Sequence, residues 1–377
     1  YISLQKDGIL FKMRRTQDLP DKESATMFFQ DCKLSHQAQI TGISHSVKEI
    51  LPPDLLDLTQ LQKEANIRYG YTASEVYDIA QSLYEKKLIS YPRTSSRYLT
   101  EDVFDSLSPI MARLLSWELF PAAKGTGGID ISSLSRHVIN AEKANVHHAI
   151  IITGIRPGNL SEKEMQVYRL VAGRMLEAFM APCRIETTNV EAVCAAQHFK
   201  AEQTRIIEAG WHDVFMHSDM IPTSGYSVKE LPEVEKGDTL NVCGCNMVHK
   251  KQLPVNPFTD AELVEYMEQN GLGTVSSRTN IIRTLVNRRY IRYSGKYIVP
   301  TPKGMFTYET IRGKKIADTS LTADWEKQLA GLESGMITGQ DFLNRIRTLA
   351  TPPGKKPRTI SFSRRISSLS VMSISIA

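Results

Sequence analysis

The feature that most constrains the fold of this chain is a long helix-patterned block with strand-patterned segments on both sides. Residues 45–50 alternate in polarity as a half-buried strand does, and the Pro-Pro pair that follows ends the pattern. Residues 185–193 and 198–207 alternate again and are rich in β-branched side chains, which predicts a pair of strands. Because the helical signals of residues 54–182 lie between these segments, we predict a helical module inserted into a β-rich one.

Helix start and stop signals divide the block. Residues 72–75 (Thr-Ala-Ser-Glu) and 161–164 (Ser-Glu-Lys-Glu) each place a hydroxyl residue three positions before a glutamate, which is the capping-box pattern. The first predicts a helix that ends in a Lys-Lys pair, and the second predicts a helix that stops before Pro182. An earlier amphipathic stretch, residues 59–68, is predicted to end at Gly70.

The C-terminal third has the element order of a winged helix-turn-helix. Residues 259–271 predict one helix, residues 276–288 a second helix, and residues 290–299 a hairpin. This order is frequent in DNA-binding proteins. Residues 321–346 are predicted to be helical again, and the Ser-rich basic tail after Pro353 is predicted to be disordered.

These patterns together predict a multi-domain α+β protein. Residues 1–30 read as short strands and a turn, so the β-rich part begins there. The predicted segments are the start of a β-rich hinge region at 1–53, a mostly helical domain at 54–182, the return of the hinge at 183–250, a helical winged-helix-like domain at 251–352, and the tail at 353–377.

The formal net charge of +5 does not by itself indicate a nucleic-acid partner. The residues after Gly354 include five Lys and Arg and no Asp or Glu, and the rest of the chain has 41 basic against 41 acidic residues. Only local basic clusters can therefore indicate nucleic-acid binding. One such cluster, on the winged-helix-like segment, consists of Arg278, Arg283, Arg288 and Arg289; its alternative interpretation is an ordinary solvated face.

The sequence indicates neither a membrane-spanning segment nor a zinc site. Its apolar runs are far shorter than the roughly 18 residues that span a bilayer, and its start has no signal-peptide pattern. The five cysteines form no Cys-x-x-Cys pair, which is the usual zinc-ribbon clip. We therefore predict a cytoplasmic monomer with reduced thiols and no metal ligands of its own.

The segment Ser90-Tyr91-Pro92-Arg93 has the chemistry of a nucleophile beside a phosphate-binding cation. A tyrosine hydroxyl, with a pKa of about 10, attacks a phosphodiester when cationic donors stabilise the developing negative charge. Arg93 is held near Tyr91 by the rigid proline and suits bidentate phosphate binding. The hydroxyls of Thr94, Ser95 and Ser96 add donors on the same loop. The alternative is an ordinary helix exit with a surface arginine.

Across residues 51–349 the order of motifs resembles the type IA DNA topoisomerases, and within them the bacterial topoisomerase III branch. Residues 80–94 (Ala-Gln-Ser-Leu-Tyr-Glu, then Ile-Ser-Tyr-Pro-Arg-Thr) match the active-site signature of that family almost letter for letter. Residues 146–151 (Val-His-His-Ala-Ile-Ile) resemble a second signature. The Gly210-Trp211 pair and residues 271–274 (Gly-Leu-Gly-Thr) stand where the family has similar residues.

The resemblance implies a toroidal enzyme that opens a protein-bridged break in single-stranded DNA, passes another strand and reseals without ATP. Tyr91 is then the residue that bonds to the 5′ phosphate, and Arg93 grips the scissile phosphate. His147 is expected to hydrogen-bond near the same phosphate, with His148 as a weaker DNA-binding candidate. Without the resemblance, the His-His pair reads as structural histidines.

This sequence departs from the family pattern in three places, and these departures limit which family properties can be expected of it. Ser95 stands where the family usually has an acid, and Ile152 stands where it usually has proline. The family's Toprim domain supplies a catalytic Glu and an Asp-x-Asp-x-Glu cluster that holds Mg²⁺, and no such pattern occurs in this sequence. We therefore expect the chain to bind single-stranded DNA and to cleave poorly without a Toprim partner.

Two other functions fit parts of the sequence. Tyrosine recombinases and relaxases also form phosphotyrosine bonds, but none of the nine histidines forms the His-hydrophobe-His triad of the commonest relaxases. Recombinases attach to the 3′ phosphate, so the polarity of the linkage separates them from the topoisomerases. The remaining alternative is a non-catalytic module that binds single-stranded DNA.

Overall fold

The computed structural model describes residues 1–117, 119–120, 134, 136–144, 147–215, 224–248, 256–314 and 317–350. The chain forms two compact units. The first contains Tyr1–Tyr266 with Val275–Thr310, and the second contains Met267–Thr274 with the chain from Ile311 onward. The mixed α/β composition predicted from the sequence is confirmed. Within the described part of the chain, no helix has both the length and the apolarity needed to cross a bilayer.

Six antiparallel strands of the first unit close into a barrel with the order β1-β2-β5-β4-β3-β6. In chain order the strands are β1 (Ile2–Lys6), β2 (Ile9–Arg15), β3 (Gln37–Ile50), β4 (Cys183–Cys194), β5 (Gln197–Glu208) and β6 (Thr239–Cys245). The barrel core includes Ile2, Leu4, Phe11, Met13 and Ile40. The predicted pairing of residues 185–193 with 198–207 is confirmed as β4 with β5.

A helix, α1 (Lys22–Ser35), lies between β2 and β3, where strands and a turn were predicted for residues 1–30. Asp21 caps it by accepting a hydrogen bond from the backbone N–H of Ser24. Cys32 is its one fully buried residue. The prediction was wrong for this segment because a helix with so little buried surface shows almost no apolar periodicity.

The predicted helical block lies between β3 and β4, which pair directly with each other. Ile50, at the end of β3, is the register partner of Cys183, at the start of β4. The block therefore leaves and re-enters the barrel at neighbouring points. Its helices are α2 (Leu58–Tyr69), α3 (Ala73–Glu85), α4 (Glu101–Asp105), α5 (Leu107–Ser116) and α6 (Glu162–Phe179).

Gly210 and Trp211 lie where the two ends of the block meet. The Trp211 side chain is fully buried, and its indole N–H donates to the carbonyl of Ile50 at 2.9 Å. Its backbone N–H donates to the carbonyl of Ala181 at 3.0 Å. A β-carbon at Gly210 would collide with the carbonyl oxygens of Ala181 and Pro182, so this close backbone approach requires glycine.

Both predicted capping boxes are confirmed at the starts of α3 and α6. In each, the hydroxyl residue and the glutamate three positions later bond to each other's backbone N–H. Gly70 ends α2 with a left-handed φ of 70°, as its position predicted.

Glu164, in the second capping box, also joins α6 to the end of α3. Its Oε1 accepts hydrogen bonds from the Lys86 Nζ at 2.6 Å and the Ser82 hydroxyl at 2.7 Å. The Lys86 bond first, and then the Ser82 bond, lower the pKa of Glu164 from 4.5 to about 2. The folded state therefore favours the ionised carboxylate.

We expect Glu164→Gln to lower the free energy of unfolding at pH 7 by about 2 kcal/mol, because it removes two charge-assisted hydrogen bonds. A depressed folded pKa stabilises the protein above pH 4.5 and loses that contribution as the pH falls toward about 2. The free energies of unfolding of Glu164→Gln and wild type should therefore become more similar as the pH falls through this range. Urea unfolding at several pH values measures this difference. Glu162→Gln, at an exposed residue of the same turn, is the control; a difference that does not change with pH would contradict the prediction.

The predicted helix, helix and hairpin of the C-terminal third are present. They are α7 (Asp260–Gln269), α8 (Arg278–Asn287) and the paired strands β7 (Ile291–Ser294) and β8 (Tyr297–Pro300). A further helix, α9 (Pro302–Ile311), follows them and was not predicted.

Two helices, α10 (Thr319–Glu333) and α11 (Gly339–Ala350), replace the single helical stretch predicted for residues 321–346. The break between them contains Gly335 with a positive φ of 74°. The predicted disordered tail at 353–377 lies outside the described residues.

Candidate active site

The segment that carries Tyr91 is held like a short strand against residues 149–153. After α3 ends, the backbone N–H of Ser90 donates to the carbonyl of Ile151 at 2.8 Å. The Ser90 hydroxyl in turn accepts from the N–H of Ile151 at 2.9 Å and donates to the carbonyl of Ala149 at 3.1 Å. These bonds place the residues after His148 beside the Tyr91 loop.

Tyr91 is half-buried and its ring contacts two other aromatic rings. The centroid of the His147 ring lies 4.4 Å from that of Tyr91, at an interplanar angle of 47°. The Tyr84 ring meets Tyr91 nearly edge-on, with centroids 5.4 Å apart and an angle of 76°. Contacts of this kind contribute about 0.5–1.5 kcal/mol each beyond simple burial. Among the described residues, none hydrogen-bonds the Tyr91 hydroxyl.

Arg93 is held on the face of α3. Its Nη2 donates to the Gln81 side-chain oxygen at 3.3 Å, and its guanidinium carbon lies 5.1 Å from the centroid of the Tyr77 ring. Its Nε is buried and has no hydrogen-bond partner among the described residues. An unpaired buried donor on a permanent cation is unfavourable unless an anionic acceptor meets it. This unpaired donor distinguishes Arg93 as a candidate anion-binding residue.

The hydroxyls of Thr94 and Ser96 are used inside the protein, whereas direct DNA contact was predicted for both. Thr94 is 4% exposed, and its hydroxyl donates to the carbonyl of His147 at 3.0 Å. The same Thr94 oxygen accepts from the N–H of Ser96 at 3.0 Å, and the buried Ser96 hydroxyl accepts from the N–H of Tyr98 at 3.1 Å. Of the three predicted donors, Ser95 alone is exposed. The other two fix the loop and bring His147 to Tyr91.

The two predicted histidines have different surroundings. His147 is exposed apart from its contact with Tyr91, and its ring lies beside the Tyr91 ring. His148 is half-buried, and its Nδ1 lies 2.7 Å from the carbonyl of Ala149, to which it donates. The structure therefore brings the His147 ring to Tyr91, two residues before Arg93, and leaves His148 outside this ring contact.

The four arginines predicted to bind DNA do not form one solvent-facing patch. Arg278 is 8% exposed, and the Arg283 Nη2 pairs with Asp78 at 2.7 Å while its Nε donates to Ser74 at 2.8 Å. The Arg283 bonds join α8 to α3, and Arg278 is buried. Arg288 and Arg289, at the end of α8, are exposed.

No group of three or more His, Cys, Asp or Glu side chains in the described part of the chain is arranged to hold a metal ion. The described residues therefore do not fit the Mg²⁺ site, which the resemblance assigned to a Toprim domain. We assign no step of the chemistry to a metal held by these residues.

Three residues of this site were not predicted as functional: Tyr77, Gln81 and Tyr84. The Tyr84 side chain is 39% exposed and contacts the Tyr91 ring. The spacing of the three residues was the available signal, since positions separated by four and three residues lie on one helix face. That face meets the loop that follows the helix.

The sequence is similar to known topoisomerases over nearly all of the described chain. A family model described as DNA topoisomerase matches residues 2–344. Two curated proteins named DNA topoisomerase 3, from Bacillus licheniformis and Shouchella clausii, are 32% identical over 337 residues and 30% identical over 376 residues. The matches cover 83% and 92% of this chain but 46% and 50% of those proteins. The chain thus spans about half the length of these relatives.

The fold is shared with a solved structure. Full-length topoisomerase I from Thermotoga maritima matches with a TM-score of 0.70 at 23% sequence identity. The match covers 92% of this chain and 57% of that one. At this identity the likeness shows a common architecture.

Proposed function

This chain belongs to the type IA DNA topoisomerase family, and we propose that it carries the nucleophile of a strand-cleavage and resealing reaction on single-stranded DNA. In the proposed reaction the Tyr91 oxygen attacks the phosphorus and the bond to the 3′ oxygen breaks. The phenolic proton is lost, and the departing 3′ oxygen gains one. The product is a 5′-phosphotyrosine and a free 3′ hydroxyl, and the reverse attack reseals the strand without ATP because the ester bond is conserved.

The observation that carries this proposal is the grouping of Tyr91, His147 and Arg93 on two adjoining segments. Tyr91 lies against His147, and the Arg93 guanidinium, two residues further on, has a buried Nε with no partner among the described residues. A nucleophile, a permanent cation and an imidazole at one place suit in-line attack on a phosphodiester. Arg93 stabilises the charge that develops on the phosphate, and His147 hydrogen-bonds a phosphate oxygen.

The proposed DNA path follows from exposure and charge. Ser95, Arg288 and Arg289 are exposed and contact the DNA backbone directly. His148 lies at the edge of the site, and Arg278 and Arg283 act by fixing α8 in place.

We further propose a role for each segment of this chain and a Toprim domain as its partner. In the toroidal core, 54–182 is the helical catalytic domain, 1–53 and 183–250 form the hinge, and 251–352 binds DNA. A Toprim domain holding Mg²⁺ completes the site, and the protein works as a cytoplasmic monomer. The chain binds single-stranded DNA alone and cleaves it poorly until the Toprim domain is present.

Trapping of a covalent adduct tests the proposed function. The chain is mixed with Mg²⁺, a Toprim domain from a related topoisomerase and a single-stranded oligonucleotide labelled at its 3′ end, and then denatured. We expect labelled protein with the wild-type chain and none with Tyr91→Phe, which lacks the attacking oxygen. Both proteins should bind the oligonucleotide with the same Kd.

The position of the label distinguishes the alternatives. A band obtained only with 5′-labelled oligonucleotide indicates a 3′ linkage, as in recombinases, and contradicts the proposal. Equal binding without any adduct, at Toprim concentrations that saturate the chain, leaves the non-catalytic module as the function.

A further inference from the structure

We infer that Tyr84 is a positioning residue for the nucleophile, an inference that rests on the proposed function. Tyr84 lies in the last turn of α3, with its ring edge-on to Tyr91 at a centroid distance of 5.4 Å. Its side chain is 39% exposed, so core packing does not account for it. No described residue hydrogen-bonds its hydroxyl, so the ring itself makes the contact that matters.

The backbone of Tyr84 is fixed, which a positioning residue requires. The carbonyl of Tyr84 accepts from the N–H of Lys87 at 2.8 Å, and the carbonyl of Leu83 accepts from the N–H of Leu88 at 2.9 Å. These bonds end the helix and turn the chain back toward the Tyr91 loop. Glu164 holds the same turn from α6 through Ser82 and Lys86.

Tyr84 and His147 both contact the Tyr91 ring, and the two rings have different tilts relative to it. Their rings make interplanar angles of 76° and 47° with that of Tyr91, so the two contacts are not equivalent. In-line attack requires the phenolic oxygen to point at the phosphorus, and a misplacement of about 1 Å costs roughly 100-fold in rate. Tyr84 restricts the tilt of the Tyr91 ring, and His147 in the proposed function also hydrogen-bonds the phosphate.

The test measures adduct formation by Tyr84→Ala and Tyr84→Phe under the conditions described above. We expect Tyr84→Ala to lower the rate constant at saturating oligonucleotide about 10- to 100-fold, with an unchanged Kd. Tyr84→Phe keeps the ring and should stay within about threefold of wild type, since only an unbonded hydroxyl is lost. Tyr1→Ala, at a 38% exposed tyrosine outside the proposed catalytic and DNA-binding segments, is the matched control.

A second measurement reports on the ring without any turnover. In protein labelled with 3-fluorotyrosine, the resonance missing from Tyr91→Phe identifies Tyr91. This resonance should shift in Tyr84→Ala, because the edge-on ring is removed, and should not shift in Tyr1→Ala.

The outcomes separate the two proposals. If wild type forms no adduct, the proposed function fails and the inference fails with it. If wild type reacts and Tyr84→Ala reacts as fast, the inference alone is overturned. A higher Kd with an unchanged saturated rate also overturns it, because Tyr84 would then stack on a base rather than position Tyr91. An unshifted fluorine resonance contradicts the inferred contact directly.

Discussion

Arg93→Ala is expected to slow formation of the DNA adduct by about 100- to 1,000-fold, the usual effect of removing one preorganised donor from a developing oxyanion. The guanidinium of Arg93 is already held by Gln81 and Tyr77, so little reorganisation is needed when the phosphate arrives. The effect should appear in the rate constant at saturating oligonucleotide, measured from the time course of labelled protein after denaturation. Binding should weaken less than the rate falls, since the charge matters most in the transition state.

Two further variants separate the charge of Arg93 from its shape. Arg93→Lys keeps the cation but loses the planar fork, so it should recover only part of the lost rate. Arg136→Ala removes an arginine that is 59% exposed and paired with Glu101, and it should react like wild type. If Arg93→Ala reacts within about threefold of wild type, Arg93 does not stabilise the charge that develops on the phosphate, and its proposed role is contradicted.

Trp211→Ala is expected to lower the free energy of unfolding by about 3–5 kcal/mol, which is typical for removal of a fully buried tryptophan. The change leaves a cavity beside α6 and also removes the indole N–H that bonds Ile50. A lower urea midpoint, followed by far-ultraviolet circular dichroism, is the measurement.

The indole hydrogen bond and the packing can be measured separately. Trp211→Phe keeps most of the apolar ring but leaves the Ile50 carbonyl without its donor, so we expect a loss of about 1–3 kcal/mol. Trp325→Ala, at a half-buried tryptophan of α10, should cost less than Trp211→Ala. A wild-type urea midpoint for Trp211→Ala would contradict the assigned role.

The elements that could be predicted from the sequence are those whose signals are local. The capping boxes of α3 and α6 depend on residues within one turn, and the β4–β5 pair shows plain alternation. The helix α1 buries a single residue, Cys32, so it lacks the apolar periodicity on which such predictions depend.

The site was predicted in part for the same reason. Tyr91 and Arg93 belong to one loop and could be identified together, whereas the approach of His147 depends on a backbone bridge between Ile89 and Ile152. That bridge brings together segments far apart in the sequence, and the family resemblance supplied the expectation. The burial of Arg278 and the pairing of Arg283 with Asp78 depend on how α8 meets α3, which a charge pattern does not encode.

Because Ile50 pairs with Cys183, the whole helical block occupies the position of the loop between two adjacent antiparallel strands, β3 and β4. A short turn between these two residues would complete the same barrel sheet, so the barrel closes independently of what the connection contains. A change in backbone dihedral angles at these two crossings can redirect the whole block while every hydrogen bond within the barrel is kept. This topology therefore allows Tyr91 to move a long way while the barrel stays nearly unchanged.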